Sequence, residues 1–133
     1  MPLPVVCAII LHSNGRVLLA QRPHGKHLAM KWEFPGGKVE TGELAATALA
    51  RELREELGCE VSILAELPHS LHTYDRGTIE MIPFICELLS SSPEPHPHEH
   101  AALAWSSPED LLKHDLAPAD CPVVAAFHAW RAA

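Results

Sequence analysis

Apolar positions in the first quarter of the chain form short runs separated by turn residues. Val5 to Leu11 is an unbroken, β-branched apolar run, which predicts a buried strand. Asn14-Gly15 is a strong hairpin turn, so Arg16 to Gln21 is expected to return as a second strand. After a polar loop from Pro23 to Lys31, the segment from Trp32 to Phe34 predicts a short strand that leads into a glycine bend.

The second half of the chain predicts four more strands, which are Val61 to Leu67, Ser70 to Tyr74, Ile79 to Leu88 and Ala102 to Trp105. Pro83 inside one of these runs indicates a bulge or an edge strand. Ser90 to His100 is rich in Ser, Pro, Glu and His and predicts a mobile loop within the domain. Ser107 is expected to cap a short helix, and Asp120 or a neighbour is expected to cap a terminal helix through Arg131.

One segment carries the strongest helical pattern. Leu44 to Leu57 is rich in good helix formers, with Thr41 and Glu43 where a cap and a first-turn acid are expected. Gly58 stands where a left-handed residue would end the helix. At about 100° per residue the predicted buried stripe is Ala46, Leu49, Leu53 and Leu57.

Three carboxylates, Glu52, Glu55 and Glu56, fall on an arc next to that stripe. Like charges three and four residues apart destabilise a helix, which favours a divalent-cation site over a merely solvated acidic face. Magnesium suits hard carboxylate oxygens, and manganese is possible. The same helical geometry predicts that Ala45 and Ala48 leave room for a ligand, with Arg51 and Arg54 on the far side.

Composition limits the class of protein. The 133 residues, 47% of them hydrophobic, predict a single domain, residues 1–133, with a substantial core. No apolar run approaches the roughly 18 residues of a membrane span, and no signal peptide is evident, so a cytoplasmic location is expected. The four cysteines are predicted to be mostly buried free thiols. The net charge of −7 disfavours a polynucleotide binder but permits a nucleotide site that contains metal.

The segment from Gly37 to Cys59 resembles the Nudix box, G-x5-E-x7-R-E-U-x-E-E-x-G-U, where U is a bulky aliphatic residue. The matching positions are Gly37, Glu43, Arg51, Glu52, Leu53, Glu55, Glu56 and Gly58, whereas Cys59 is smaller than the usual last residue. Flanking segments resemble MutT-type nucleoside triphosphate pyrophosphohydrolases. These segments are Gln21 to Pro23, His27, Trp32 to Lys38, Glu99 to Trp105 and Leu116 to Asp120, the last two being most similar to the CTP pyrophosphohydrolase branch.

The resemblance implies an α/β (α+β) fold, the Nudix α/β/α sandwich around a mixed β-sheet. It also implies metal ligands, which are Glu52, Glu55, Glu56 and the Gly36 carbonyl, with Glu99 as a further ligand or as the group that activates water. Arg51 would orient a glutamate by a salt bridge, and Glu43 would fix the turn into the helix. Glu52, Glu55, Glu99 and Arg51 are thus the predicted catalytic set, and which glutamate is the general base stays open.

Residues outside the box are implied to bind substrate. Arg22 would contact phosphate, His27 would lie near the nucleotide, Phe34 would pack on the base or belong to the core, and Gly36 would allow the backbone to approach phosphate. Lys38 and Arg76 are weaker phosphate candidates. Asp120 aligns with the residue that reads the base edge and is also a candidate helix cap. The histidines at 96, 98 and 100 alternate, but a structural zinc site there is disfavoured because a fourth ligand is missing.

The implied reaction is attack on the β-phosphorus of a nucleoside triphosphate, releasing a nucleoside monophosphate and pyrophosphate. The leading substrate class is oxidised or noncanonical nucleotides such as 8-oxo-dGTP, which would make the protein an enzyme of nucleotide-pool sanitation. The alternative within the same chemistry is CTP, dCTP or 5-methyl-dCTP. An alternative of another class is a noncatalytic Nudix-fold nucleotide-binding module. The expected partners are the nucleotide alone, without polynucleotide or membrane, and the chain is expected to be a monomer or weak homodimer.

Overall fold

A mixed β-sheet forms the centre of the computed structural model, which describes residues 1–133. Its eight strands are β1 (Leu3–Leu11), β2 (Val17–Gln21), β3 (Trp32–Glu33), β4 (Gly36–Lys38), β5 (Val61–Glu66), β6 (Ser70–Tyr74), β7 (Gly77–Leu88) and β8 (Ala102–Ser106). The helices are α1 (Ala45–Leu57) and α2 (Cys121–Ala132), with short 3-10 helices at Pro108–Lys113 and Pro118–Asp120. Neither α-helix has the length and apolar character that a membrane crossing requires.

The sheet divides between β1 and β2, and this division positions the site. The two strands are antiparallel partners where Leu11 lies opposite Val17. Away from that pair, β4 lies along β1 and β3 lies along β2, while β8 takes the other edge of β2. Ala8 donates its N–H to the Pro35 carbonyl at 2.8 Å, which holds the β3–β4 segment in the gap. A cleft therefore opens where the two strands separate.

Alternate residues of β1 face opposite sides of the sheet, as strand geometry requires. Val6, Ala8 and Ile10 pack with the leucines of α1, in a cluster that includes Leu49, Leu53 and Leu57. Cys7 and Ile9 pack on the other face with Val123, Val124 and Phe127 of α2. The sheet is thus covered by helices on both faces, and the expected α/β/α layering is confirmed.

The predicted elements are present, with most ends shifted by about one or two residues, as hydrogen-bond assignments usually differ. Gly58 ends α1 in the left-handed conformation, with φ at 63°. A bend was expected at the two glycines, but Gly36–Lys38 forms a strand that pairs with β1. Cys7, Cys59 and Cys86 are buried free thiols, as expected, whereas Cys121 is exposed.

The expectations for the start and for the buried face of α1 were wrong. No side chain caps its N-terminus, and its first turn contains no acid. Ala46 is exposed and Ala48 is fully buried, because the helix turns its small Ala48 side chain toward the sheet beside Leu49. Arg51, which was expected on the far side from the opening beside Ala45 and Ala48, pairs its guanidinium with the carboxylates of Glu43 and Glu52.

Two further expectations need correction. Pro83 is neither at an edge nor at a bulge, because β7 is an interior strand and the irregularity lies in β5 between Ile63 and Ala65. Pro83 lies where the outer partner of β7 changes from β5 to β6, so the missing N–H falls where the pairing is interrupted. Asp120 stands at the start of α2, but its side chain makes no capping hydrogen bond.

Candidate active site

The cleft at the division of the sheet has two connected parts. The first, which we call the apolar chamber, measures about 290 Å³, and its walls include Val5, Cys7, Phe34, Met81 and Ala117. The second, the polar chamber, measures about 220 Å³ and is lined by Arg22, Pro23, Lys26, Glu33, Glu56, Glu99 and His100. Arg22, Glu33 and Glu56 line both chambers and form the boundary between them.

Glu52 of α1 lies directly against the backbone of Gly37 in β4. A side-chain Cβ at Gly37 would come within 2.7 Å of Glu52 Oε1, closer than any real contact. The glycine at this position therefore lets the Glu52 carboxylate lie directly against the β4 backbone. Three residues further along α1, Glu55 is more than half exposed, so the box carboxylates range from nearly buried to solvated.

Arg51 ties the helix to the loop that precedes it. Its guanidinium donates to both carboxylate oxygens of Glu43 at 2.9 Å, to Glu52 at 3.0 Å and to the Lys38 carbonyl at 3.1 Å. The hydrogen bonds from Arg51 lower the pKa of Glu43 to about 2, and those carboxylates raise the pKa of Arg51 further above its ordinary value. Arg51 thus makes a salt bridge to Glu52, whereas its orienting role and the fixing of the turn by Glu43 stay predictions.

Glu56 has the most unusual environment of the three acids. Its Oε1 atom is buried and has no hydrogen-bond partner. Burial, and next the charges of Glu33, Glu52 and Glu99, raise the pKa of Glu56 to about 8. Burial likewise raises the pKa of Glu52, although Arg51 opposes that shift. An unpartnered carboxylate oxygen beside other carboxylates is a donor set that suits a hard divalent cation.

The loop from Ser90 to His100 is attached to the end of α1. His96 and His98 donate their backbone N–H groups to the Leu57 and Glu56 carbonyls at 2.9 and 3.1 Å. This attachment places Glu99 at the polar chamber, close enough for its charge to raise the pKa of Glu56. The side chain of His100 contacts Glu33. No three His, Cys, Asp or Glu side chains form a ready-made metal cluster anywhere in the structure.

Asp120, which is 4% exposed, lines the apolar chamber. Its Oδ1 atom accepts the backbone N–H of Phe34 at 3.1 Å. Burial, followed by the nearby charge of Glu33, raises the pKa of Asp120 well above its ordinary value. Phe34 is itself buried and belongs both to the core and to the cleft wall. His27 packs edge-on against Tyr74, with ring centroids 5.3 Å apart, and both residues line the chamber.

A NUDIX domain profile matches residues 1–127 of the chain. The chain belongs to the Nudix family. The CTP pyrophosphohydrolase of Escherichia coli K12 is 42% identical over an alignment of 142 positions, gaps included, which covers 96% of this chain and 93% of that relative. The 8-oxo-dGTP diphosphatase of the same organism is 31% identical over 123 residues, covering 92% and 94%. The solution structure of the E. coli ORF135 protein superposes with a TM-score of 0.84 at 42% identity, covering 98% and 91%.

These similarities confirm the Nudix resemblance inferred from the box, and the protein is a Nudix hydrolase. Such hydrolases generally depend on divalent metal ions. The residues that would hold one here are Glu52, Glu55, Glu56 and Glu99, with the backbone of Gly36 adjacent to the Glu56 carboxyl. The orphaned Glu56 oxygen is the observation that supports this fit.

Not every predicted substrate residue of this Nudix hydrolase reaches the cleft. Lys38 is exposed at the edge of the apolar chamber. Arg76 lies in the turn between β6 and β7 and lines neither chamber, because the cleft-facing part of this hairpin ends at Tyr74. Arg22 lines both chambers, but its guanidinium is already bonded to Glu33 at 2.9 Å and to the His27 carbonyl at 2.7 Å.

Sequence reasoning missed four polar residues that line the Nudix cleft, which are Lys26, Glu33, Tyr74 and His100. Glu33 is the most important omission because it contacts Arg22 and His100 and lines both chambers. One signal was available, since Glu33 is an acid between two aromatic residues in a short strand. No local pattern identified Tyr74 or Lys26, whose place in the cleft depends on the tertiary fold.

Proposed function

We propose that this Nudix hydrolase is a divalent-metal-dependent nucleoside triphosphate pyrophosphohydrolase of the MutT type. Its substrates are oxidised or noncanonical triphosphates such as 8-oxo-dGTP, and its products are a nucleoside monophosphate and pyrophosphate. The observation that carries the proposal is the pair of chambers, one with a mostly apolar lining that includes the buried Asp120 carboxyl, the other lined mainly by charged residues that include the box carboxylate Glu56. This division matches a molecule that has a flat base at one end and phosphates at the other.

In this arrangement the base enters the apolar chamber and the phosphates occupy the polar chamber. Lys26 and Arg22 supply positive charge beside the phosphates. A divalent ion, when bound, polarises phosphoryl oxygens and offsets the negative charge that carboxylates and triphosphate would otherwise bring together. All of the residues invoked come from one chain, so the proposal needs no second protomer.

The chain's own groups divide the remaining work. Arg51 opposes the rise in the pKa of Glu52 that burial causes, and its hydrogen bond holds the Glu52 carboxylate against Gly37. Glu99 is exposed at the polar chamber and takes a proton from the attacking water. The water oxygen forms a bond to the β-phosphorus while the bond from that phosphorus to the α,β-bridging oxygen breaks. The monophosphate then leaves with the bridging oxygen, and pyrophosphate carries the added hydroxyl group.

Asp120 is proposed to read the base edge as a neutral acid. Burial raises the pKa of Asp120 and thereby favours its neutral form, and Phe34 already donates to one of its oxygens. A protonated carboxyl donates one hydrogen bond, which an ionised one cannot do. The group is thus matched to an acceptor on the base, such as a ring nitrogen or a carbonyl oxygen.

A second candidate substrate class is CTP, dCTP or 5-methyl-dCTP. The 42% identity to a CTP pyrophosphohydrolase across nearly the whole chain favours it. Cytosine offers ring-nitrogen and carbonyl acceptors to a protonated Asp120, so the geometry is compatible with both classes.

Turnover of a panel of triphosphates with magnesium tests the proposal. The panel contains 8-oxo-dGTP, dGTP, CTP, dCTP and 5-methyl-dCTP, and the released monophosphate is measured for each. Preference for 8-oxo-dGTP supports the leading class, and preference for the cytosine nucleotides supports the second. If only ADP-ribose or dinucleotides were hydrolysed, both would be overturned.

Glu55→Gln separates an enzyme from a noncatalytic binding module. Glu55 is exposed, so the variant should fold normally. Turnover should fall by about two orders of magnitude or more when a metal-binding carboxylate is lost. Unchanged magnesium-dependent turnover would contradict the metal assignment, and absence of turnover in the wild type would favour the binding module.

A further inference from the structure

His100 is a buried histidine to which neither the fold nor the proposed reaction has assigned a role. Its side chain is 4% exposed, although it lies in a loop rich in Ser, Pro and Glu. Its Nε2 atom donates to Glu33 Oε2 at 2.9 Å. Its Nδ1 atom is buried and has no hydrogen-bond partner. An apolar side chain would fill the same space without that unsatisfied atom, so loop stability alone does not account for a histidine here.

The contact joins two segments on either side of the polar chamber. Glu33 receives His100 on one carboxylate oxygen and Arg22 on the other, each at 2.9 Å. Arg22 in turn donates from Nε to the His27 carbonyl at 2.7 Å, which fixes the loop that follows β2. The opposite loop carries Glu99 immediately before His100. The position of His100 therefore sets the distance between Glu99 on one side of the chamber and Arg22 on the other.

We propose that His100 is a positioning residue, which holds Glu99 and Arg22 in register across the polar chamber by donating to Glu33. The inference rests on the proposed function, because Glu99 and Arg22 act on the same phosphate chain. A small displacement of a reacting group costs far more in turnover than in binding. This role requires a hydrogen-bond donor to Glu33 at position 100, and a side chain other than imidazole can supply that donor.

The test compares His100→Ala, His100→Gln and His100→Phe with a control, His96→Ala. His96 belongs to the same loop but its side chain is exposed. Steady-state kcat and KM are measured on the best triphosphate of the panel with saturating magnesium, together with the melting temperature of each variant. The glutamine amide replaces the Nε2 donor, and phenylalanine fills the space without a donor.

The expected result is a split between turnover and binding. His100→Ala and His100→Phe should lower kcat about tenfold or more and change KM by less than about threefold. His100→Gln should recover at least about a third of wild-type turnover by restoring the charge-assisted hydrogen bond. His96→Ala should stay within about twofold of wild type. In a Glu33→Ala background, His100→Ala should have no further effect, because the two residues act as one unit.

The inference is overturned if His100→Phe retains wild-type kcat, or if His100→Gln is as impaired as His100→Ala. Losses of kcat that track the melting temperature in every variant also overturn it, since a purely structural role would produce that pattern. These outcomes in an active wild type leave the proposed function standing. A wild type that hydrolyses no triphosphate overturns the proposed function and this inference together.

Discussion

Some residues of the site lower the stability of the fold because they are arranged for function, and Glu56 is the clearest example. Its carboxyl is largely buried and one oxygen lacks a partner, an arrangement that destabilises the metal-free fold. Glu55, one residue earlier, is solvated and carries no such penalty. The two acids are adjacent in sequence but contribute to stability in different ways.

Glu56→Gln should stabilise the metal-free protein at alkaline pH and abolish turnover. Because the pKa of Glu56 is about 8 in the folded state and near 4.5 when unfolded, the folded state binds this proton more tightly. Stability therefore falls as the pH rises from about 4.5 to about 8. Thermal melts with a chelator present should show the variant above wild type by several degrees at pH 9, with little difference at pH 4.5. The control Glu55→Gln should melt like wild type at both pH values.

At the scale of elements, two features determine the geometry of the site. One is the close approach of β4 to α1, and the other is the set of hydrogen bonds that Arg51 makes to the loop between them. Gly36 and Gly37 are neighbours in β4, but they face different partners. Gly36 approaches the backbone of β1, and Gly37 approaches the carboxylate of Glu52. Gly36 therefore allows β4 to pair closely with β1, and Gly37 allows the Glu52 carboxylate to lie against β4.

Gly36→Ala and Gly37→Ala should fail in different ways. A Cβ at position 36 would lie 2.7 Å from the Cys7 Cα atom, so the variant should lose β1–β4 pairing and melt much lower. A Cβ at position 37 meets only the movable end of Glu52, so this variant should fold. Its kcat should fall about tenfold or more, because Glu52 is displaced. Equal melting temperatures for the two variants, or a fully active Gly37→Ala, would contradict this assignment.

Arg51→Lys should weaken the attachment of α1 to the loop that precedes it. A lysine cannot reproduce the two-pronged bond to Glu43 together with those to Glu52 and the Lys38 carbonyl. We expect a lower melting temperature, and a larger loss of kcat than the loss of folded protein explains. Arg54→Lys is the matched control, since Arg54 is exposed and its only ion pair, to Glu60, is 3.6 Å long. Similar behaviour of the two variants would argue against the role of Arg51.

For the whole molecule, the net charge of −7 and the acidic cleft predict a specific response to magnesium. Sodium chloride at matched ionic strength only screens the surface charges and should raise the melting temperature slightly. Magnesium at about one hundred times its dissociation constant should add about 2.7 kcal/mol of stability. Differential scanning fluorimetry should show that extra shift in the wild type and lose it in the Glu52→Gln/Glu56→Gln double variant. An undiminished shift in the double variant would place the ion elsewhere.

Local periodicity and turn chemistry predicted most of the fold, and the spacing of Glu52, Glu55 and Glu56 predicted the acidic face of α1. The contact between Glu33 and His100 escaped prediction because the residues are 67 positions apart and meet only through tertiary packing. Helical spacing alone could not predict the rotation of α1 that buries Ala48 and exposes Ala46, because packing on the sheet determines that rotation. Local pattern thus identifies the reacting groups, while long-range contacts define the cleft around them.

The parallel pairing of β1 with β7 has a consequence for how the chain folds. Its register runs from Leu3 opposite Ile79 to Leu11 opposite Glu87, so the centre of the sheet joins distant parts of the sequence. Bringing these distant strands together costs conformational entropy before any stabilising contact forms. Proteins with such topologies fold slowly. During synthesis on the ribosome, the apolar β1 emerges long before its central partner exists. A nascent chain halted before β7 should therefore bind chaperones and resist refolding, whereas one that extends beyond Leu88 can form the β1–β7 pairing.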